Sequence, residues 1–141
     1  MTYSIFPIIQ PDAETATDTD LPLCREIGWD FDNDRPLFSA GEPVEVTGAD
    51  AVRVWCWKAL RTARGRYEIY TPDYGCDMDT LVGQAYTDDV KRSEAARCVR
   101  EALEVNPYVT DVREVSAEFT DSVLHISCAV STVYGEVDVN V

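Results

Sequence analysis

The chain has 141 residues, 45% of them hydrophobic and 10% aromatic, and carries a formal net charge of −14 at pH 7. That length fits one domain with an arm, and the apolar content is enough for a core, which excludes wholesale disorder. The charge excludes unaided binding to DNA or an anionic membrane surface, and the longest apolar run falls far short of a membrane span. Neither nucleic acid nor membrane is expected as a partner.

Residues 1–22 read as an extended N-terminal arm. It opens on the apolar YSIFPII, where Tyr3, Ile5 and Phe6 are candidates for contact with a neighbouring protein. The following PDAETATDTD is polar and acidic, the composition of a tether. Residues 23–141 are expected to form a single α+β domain.

In that domain REIGWDFDND predicts a strand and an Asp-rich turn, and LFSAGEPVEVTG a Gly-Glu-Pro turn with a short strand. Thr47 or Asp50 is placed to cap a helix running to about residue 62. On its wheel Arg53, Lys58 and Arg61 share one arc, and Ala51, Val52, Trp55, Cys56 and Ala59 the opposite one. Trp57 and Val54 fall within the charged arc, as in a helix held between two packing surfaces. Trp55 is therefore assigned to the core, and Trp57 to a docking surface.

RYEIYT alternates and predicts a strand, PDYG a turn, and DMDTLVGQ a short helix capped by Asp77. A charged amphipathic helix follows over 88–105, with Arg97/Glu101 and Arg100/Glu104 spaced to pair. Asn106-Pro107 stops it. Beyond, Val115, Ala117 and Phe119 share one strand face, TDS turns the chain, and Leu124, Ile126, Cys128 and Val130 form the apolar face of the next strand. EVDVNV then alternates Val137, Val139 and Val141 with polar residues up to the last position, a strand edge open to pairing. The expected architecture is α+β: two main helices packed on a mostly antiparallel β-sheet, with an extended N-terminal arm.

Chemistry is sparse. Five scattered cysteines with no CxxC pair, in a chain opening on no signal peptide, read as reduced thiols in a reducing cytosol. The single histidine, His125, lies mid-strand opposite the core face, with no Ser or Cys motif beside it. DFDNDR has the spacing of a calcium loop, yet Arg35 replaces the needed Gly and Gly41 the closing Glu, so it reads as a solvated acidic turn. Glycine-rich phosphate loops are absent, and the 26 acidic residues single out no carboxylate pair. No catalytic, cofactor or metal residue is assigned; a carboxylate-based cell-wall hydrolase is the alternative reading. Arg53, Lys58, Arg61, Arg64 and Arg66 interleave with Trp55, Trp57, Tyr67 and Tyr70, but Asp50, Glu68, Asp73 and Asp77 lie among them. Guanidinium forks in such a setting suit carboxylates of a protein partner.

The segments VTGADAVRVWCWKALRT, GRYEIYTPDYG, DMDTLVGQ, REALEVNPYV and STVYGEV, in that order, resemble the XkdS-like tail proteins of contractile-tailed phages and defective prophages. These sit within the baseplate wedge and sheath-initiator superfamily, and the likeness runs over roughly residues 25 to 137. Leu60, Thr62, Gly65, Arg66, Pro72, Tyr74 and Gly75 match the superfamily pattern. Asn106-Pro107-Tyr108 stands where Glu-Pro-Arg is typical, so only Pro107 is kept and no role of that Glu or Arg carries over. The resemblance implies a non-catalytic structural protein at the junction of baseplate and sheath, in a virion or a phage-tail-like particle, assembled in the host cytoplasm without cofactors. It implies the tail sheath protein, other baseplate wedge proteins and the tail tube as partners, with the sheath adding strands to a sheet of this protein. The residues assigned to partners are Tyr3, Ile5 and Phe6 of the arm, Trp57, Arg61, Arg64 and Arg66 of the cationic cluster, and Val137, Val139 and Val141 of the last strand.

Overall fold

The computed structural model describes residues 21–81, 85–120 and 123–141. The described residues open with six short strands: β1 (Arg25–Ile27), β2 (Trp29–Asp30), β3 (Arg35–Pro36), β4 (Phe38–Ser39), β5 (Glu42–Pro43) and β6 (Glu45–Thr47). They pair antiparallel as β1–β6, β2–β3 and β4–β5. The β1–β6 ribbon forks at Gly28, Leu37 and Val44, whose backbones bond in a ring: Gly28 N–H to the Val44 carbonyl (2.7 Å), Val44 to Leu37 (2.9 Å), and Leu37 to Gly28 (2.8 Å). Each branch is then a hairpin. The turn of the second is Ala40–Gly41, both at positive φ, with Glu42 and Pro43 already in β5. The expected Gly-Glu-Pro turn thus starts one residue earlier, at Ala40, and keeps only Gly41.

Helix α1 (Ala49–Arg61) starts at Gly48, whose φ of 66° suits glycine and which offers no side-chain cap. Neither Thr47 nor Asp50 caps it; Asp50 instead lies in the first turn, with Lys58 and Arg61 in the last, the arrangement favoured by the helix dipole. Seven of its residues are buried, spread around most of its circumference. One side meets the closing sheet and the second helix; the other meets the forked ribbons through Trp29 and Phe31. The two-sided packing expected of this helix is what the fold contains.

The second helix, α2 (Asp88–Glu104), is capped by Thr87, whose hydroxyl accepts the Val90 N–H, and buries Ala95, Cys98, Val99, Ala102 and Leu103 along one stripe. Arg97 forks between Glu94 (2.7 Å) and Glu101 (2.8 Å), whereas Arg100 and Glu104 do not pair. Three long strands follow, β7 (Val109–Thr120), β8 (Val123–Thr132) and β9 (Gly135–Asn140), antiparallel in the order β7-β8-β9. A bulge at residues 113–116, with Glu114 at φ 53°, switches the alternation of β7. Val112 is buried before it and Ala117 after it, five positions apart. Strict alternation could not place both inward. In β8 the face of Ile126, Cys128 and Val130 is buried, as its pattern predicts. Asp121 and Ser122 of the expected TDS turn lie outside the described residues.

α2 covers β7 and α1 covers β9, so the two helices and the sheet share one core centred on Val52, Val99, Leu103, Val130 and Val139. The fold is α+β, two helices on an antiparallel sheet. Residues 1–20 of the N-terminal arm lie outside the described residues.

Candidate docking interface

β9 forms one edge of the sheet. Ile126 and Val141 exchange both backbone hydrogen bonds (2.9 and 2.8 Å), which sets the phase of the ladder. By antiparallel alternation Gly135, Val137, Val139 and Val141 bond inward to β8. The N–H and C=O groups of Glu136, Asp138 and Asn140 therefore point away from the sheet, and among the described residues no strand pairs with them. The side chains of those three are exposed, while Val139 is 1% exposed against α1 and Val137 and Val141 are half-buried. Val139 thus packs its own core, and the free hydrogen-bonding groups of β9 are those of its backbone.

Beside the end of this edge opens a groove of about 460 Å³, lined by Trp29, Phe31, Leu37, Arg53, Trp57, Val139 and Asn140, with Asp30 and Asp32 at its rim. Trp57 forms its floor and is 5% exposed. Its ring packs against Phe31 (5.3 Å between centroids) and Trp29 (6.1 Å), and Arg61 lies over it at 4.7 Å. Both tryptophans therefore pack on the core, Trp57 the more deeply of the two. Trp57 is a core residue beneath the forked ribbons, and Trp55 is the half-buried one, edge-on to Tyr74 at 5.6 Å. The wheel places Trp57 correctly among the cations; it could not show that the forked ribbons cover that arc.

The cations of the cluster are mostly engaged within the chain. Arg61 reaches Asp34 (3.3 Å), Arg64 reaches Asp77 (3.0 Å), and Lys58 reaches Glu26 (3.4 Å). Arg66 lies over Tyr67 at 5.7 Å. Arg61 lines a separate hollow with Lys58, Asp34 and Tyr70 on the far side of Trp57, whereas Arg64 and Arg66 stand beyond the end of α1. The Asp-rich turn is likewise built from internal bonds. Asp30 accepts from the Asn33 side chain (2.8 Å) and from the Asn33 and Asp32 backbones, and these bonds hold its carboxyl below the usual range. Asp34 accepts from the Trp29 indole and Arg61.

Residues 66–71 are a run of turns and bends rather than the expected strand, with Ile69 86% exposed and Tyr67 and Tyr70 about half so. The loop is closed at its base, where Cys76 N–H donates to the Thr62 carbonyl (2.8 Å) and Arg64 N–H to the Cys76 carbonyl (3.3 Å). Gly75 makes this closure possible, since a Cβ there would lie 2.8 Å from the Thr62 carbonyl oxygen. The following short helix is a single 3-10 turn, Met78–Leu81; the Asp77 carboxylate serves Arg64 instead of capping it.

Where Glu-Pro-Arg is typical, Asn106 is buried and its side chain accepts the Tyr108 N–H, while the Tyr108 hydroxyl donates to the Pro22 carbonyl. Tyr108 also stacks on Tyr134, whose hydroxyl accepts the Cys24 N–H. In this chain the position anchors the start of the described fold. His125 is exposed and lies opposite Glu118 on the outer face of the sheet. Ser116, Glu118 and Ser127 lie around it in a shallow hollow of that face. Tyr3, Ile5 and Phe6 lie outside the described residues. Residue-level reading missed Trp29, Phe31 and Arg53 as parts of the groove. The i,i+4 spacing of Arg53 and Trp57 was the available signal for one of them.

The described residues thus form a two-helix α+β domain with an open strand edge. Residues 25–135 match the family described as contractile injection system sheath initiator, and the chain belongs to that family. It is 30% identical over 95 residues to the phage-like element PBSX protein XkdS of Bacillus subtilis (strain 168), a match covering 67% of each chain. The protein is a structural component of a phage-type contractile tail.

Proposed function

We propose that the protein joins the baseplate wedge to the sheath and templates the first sheath ring by accepting a strand at the outer edge of β9. The observation that carries this is the set of outward backbone groups at Glu136, Asp138 and Asn140, on a strand pinned to the core by Val139. Strand addition gains main-chain hydrogen bonds, and side-chain alternation fixes register. Val137 and Val141 continue the apolar face that an added strand would extend. Ring symmetry would multiply individually modest contacts.

In this reading residues 23–141 are the assembling domain and residues 1–22 an arm. Tyr3, Ile5 and Phe6 clasp a neighbouring wedge protein. The exposed 66–71 loop, with Arg66 and Ile69, faces a wedge or tube neighbour in the baseplate of a virion or a headless tail particle. No cofactor or enzymatic step enters the role. The test is amide hydrogen exchange with and without purified sheath protein from the same tail. The amides of Glu136, Asp138 and Asn140 should gain protection together, and unchanged exchange at all three would remove β9 as the template.

A further inference from the structure

On α1 the three cations differ in their partners. Lys58 and Arg61 each hold a carboxylate, while Arg53 has none within ion-pair distance among the described residues. Its guanidinium is instead stacked over Phe31, 5.0 Å from the ring centroid, and is half-buried in the wall of the groove. Val139 and Asn140, the last residues before the end of β9, line the same groove. A strand paired to the outer edge of β9 would set its inward side chains beside Val139, and the one nearest Asn140 would enter the groove over Trp57. The apolar floor of Trp57, Leu37 and Phe31 accepts the methylene stem of such a side chain. The charge at its mouth is then Arg53. Of the two nearby acids, Asp30 is already bonded to Asn33 and Arg35, and Asp32 is exposed on the rim.

We infer that Arg53 is a register-determining residue that binds a carboxylate, Glu or Asp, on the inward face of the strand added to β9. The inference rests on the strand-addition reading and names what that strand must carry. A planar guanidinium fixed by an aromatic ring presents a preorganised fork, so little ordering is lost when a carboxylate arrives. One such contact at one position turns a ladder that could slip by two residues into a single register.

The test uses the full chain and synthetic ten-residue peptides of alternating Val and Thr, with one Glu moved through successive Val positions and a matching Gln series. Binding is followed by the fluorescence of the tryptophans and by amide shifts at Asp138 and Asn140. One Glu position should bind about tenfold more tightly than its Gln counterpart, the worth of a charge-assisted pair. Arg53→Gln should erase that difference while leaving the Gln peptide unchanged, and Arg53→Glu should transfer the preference to a Lys peptide at the same position. Equal binding of every Glu and Gln pair, or a Glu preference that survives Arg53→Gln, would overturn the inference. Asp138→Pro separates the two levels. Loss of all peptide binding there, with the Arg53 results as stated, supports both. Unaffected binding in Asp138→Pro sinks the edge reading itself.

Discussion

Arg61 lies over the ring of Trp57, 4.7 Å from its centroid, while its guanidinium reaches Asp34 at 3.3 Å. The ring is buried and the cation is half-exposed, so the two residues differ in what they contribute to the fold. Trp57→Ala should lower stability by about 3–5 kcal/mol, as for other large aromatic truncations in a core. Arg61→Ala should cost less than about 1 kcal/mol, the range of an exposed ion pair and a solvated cation–π contact. Urea unfolding followed by circular dichroism distinguishes them. Similar losses for both would show that the ribbons do not seal Trp57.

Gly75 holds the 62–76 loop closed at φ 108°, with no room for a Cβ beside the Thr62 carbonyl. The blocking atoms are backbone and cannot swing aside. Gly75→Ala should therefore cost about 2 kcal/mol or more, from positive-φ strain plus the displaced loop base. Proteolysis within residues 66–71 should accelerate in parallel. A variant with wild-type urea midpoint and cleavage rate would contradict this account of the loop.

All five cysteines are free thiols, and four are buried. Burial pushes Cys56 up to about 12 and Cys76 and Cys128 up to about 11. In the unfolded chain these thiols lose their protons near pH ~8.5. The folded state keeps them protonated, so their stabilising contribution is complete below that pH and falls as the pH rises through 11 to 12. The urea midpoint should accordingly decline from pH 8 to pH 10, and less steeply in Cys56→Ala/Cys128→Ala than in the parent. At pH 8 a thiol-reactive dye should label half-buried Cys24 well before the others. Simultaneous labelling of all five would mean the core opens readily.

Much of this fold is legible in the sequence because its signals are local and repeated. The stripe of Ala95, Cys98, Val99, Ala102 and Leu103 has helical spacing, and Ile126, Cys128 and Val130 alternate, so helix and strand declare themselves. The 66–71 segment also alternates, yet Tyr67 and Tyr70 meet edge to face, Tyr70 packs on Tyr74, and the base is tied shut by Thr62 and Cys76. A ring closure of that kind has no periodic signature. The bulge at Glu114 is equally silent, although without it Val112 and Ala117 could not both face the core. At the candidate site the alternation of Val137, Val139 and Val141 located the edge. It also suggested valine side chains as the contact, whereas Val139 is buried in the core and the outward groups of the strand are backbone. The groove escaped residue-level reading because Phe31 and Arg53 are 22 positions apart and meet only through the forked ribbons.

A deletion of residues 136–141 would remove Val139 along with the edge. Deletion exposes the core that Val139 seals, and Val139→Ala alone should lose about 2 kcal/mol, most of the worth of a buried valine. Thermal unfolding of Val139→Ala beside Asp138→Ala measures this, with the second expected to stay within about 0.5 kcal/mol of the parent because its side chain is exposed.

The central claim is that the outward backbone of β9 nucleates the sheath. Its most direct measurement is sheath polymerisation on purified baseplates carrying Asp138→Pro. Proline there removes an N–H that faces away from β8, a position where an edge strand tolerates it. Circular dichroism and the urea midpoint should show the fold retained. The account predicts folded protein, assembled baseplates and no sheath; sheaths of normal number and length on those baseplates would contradict it.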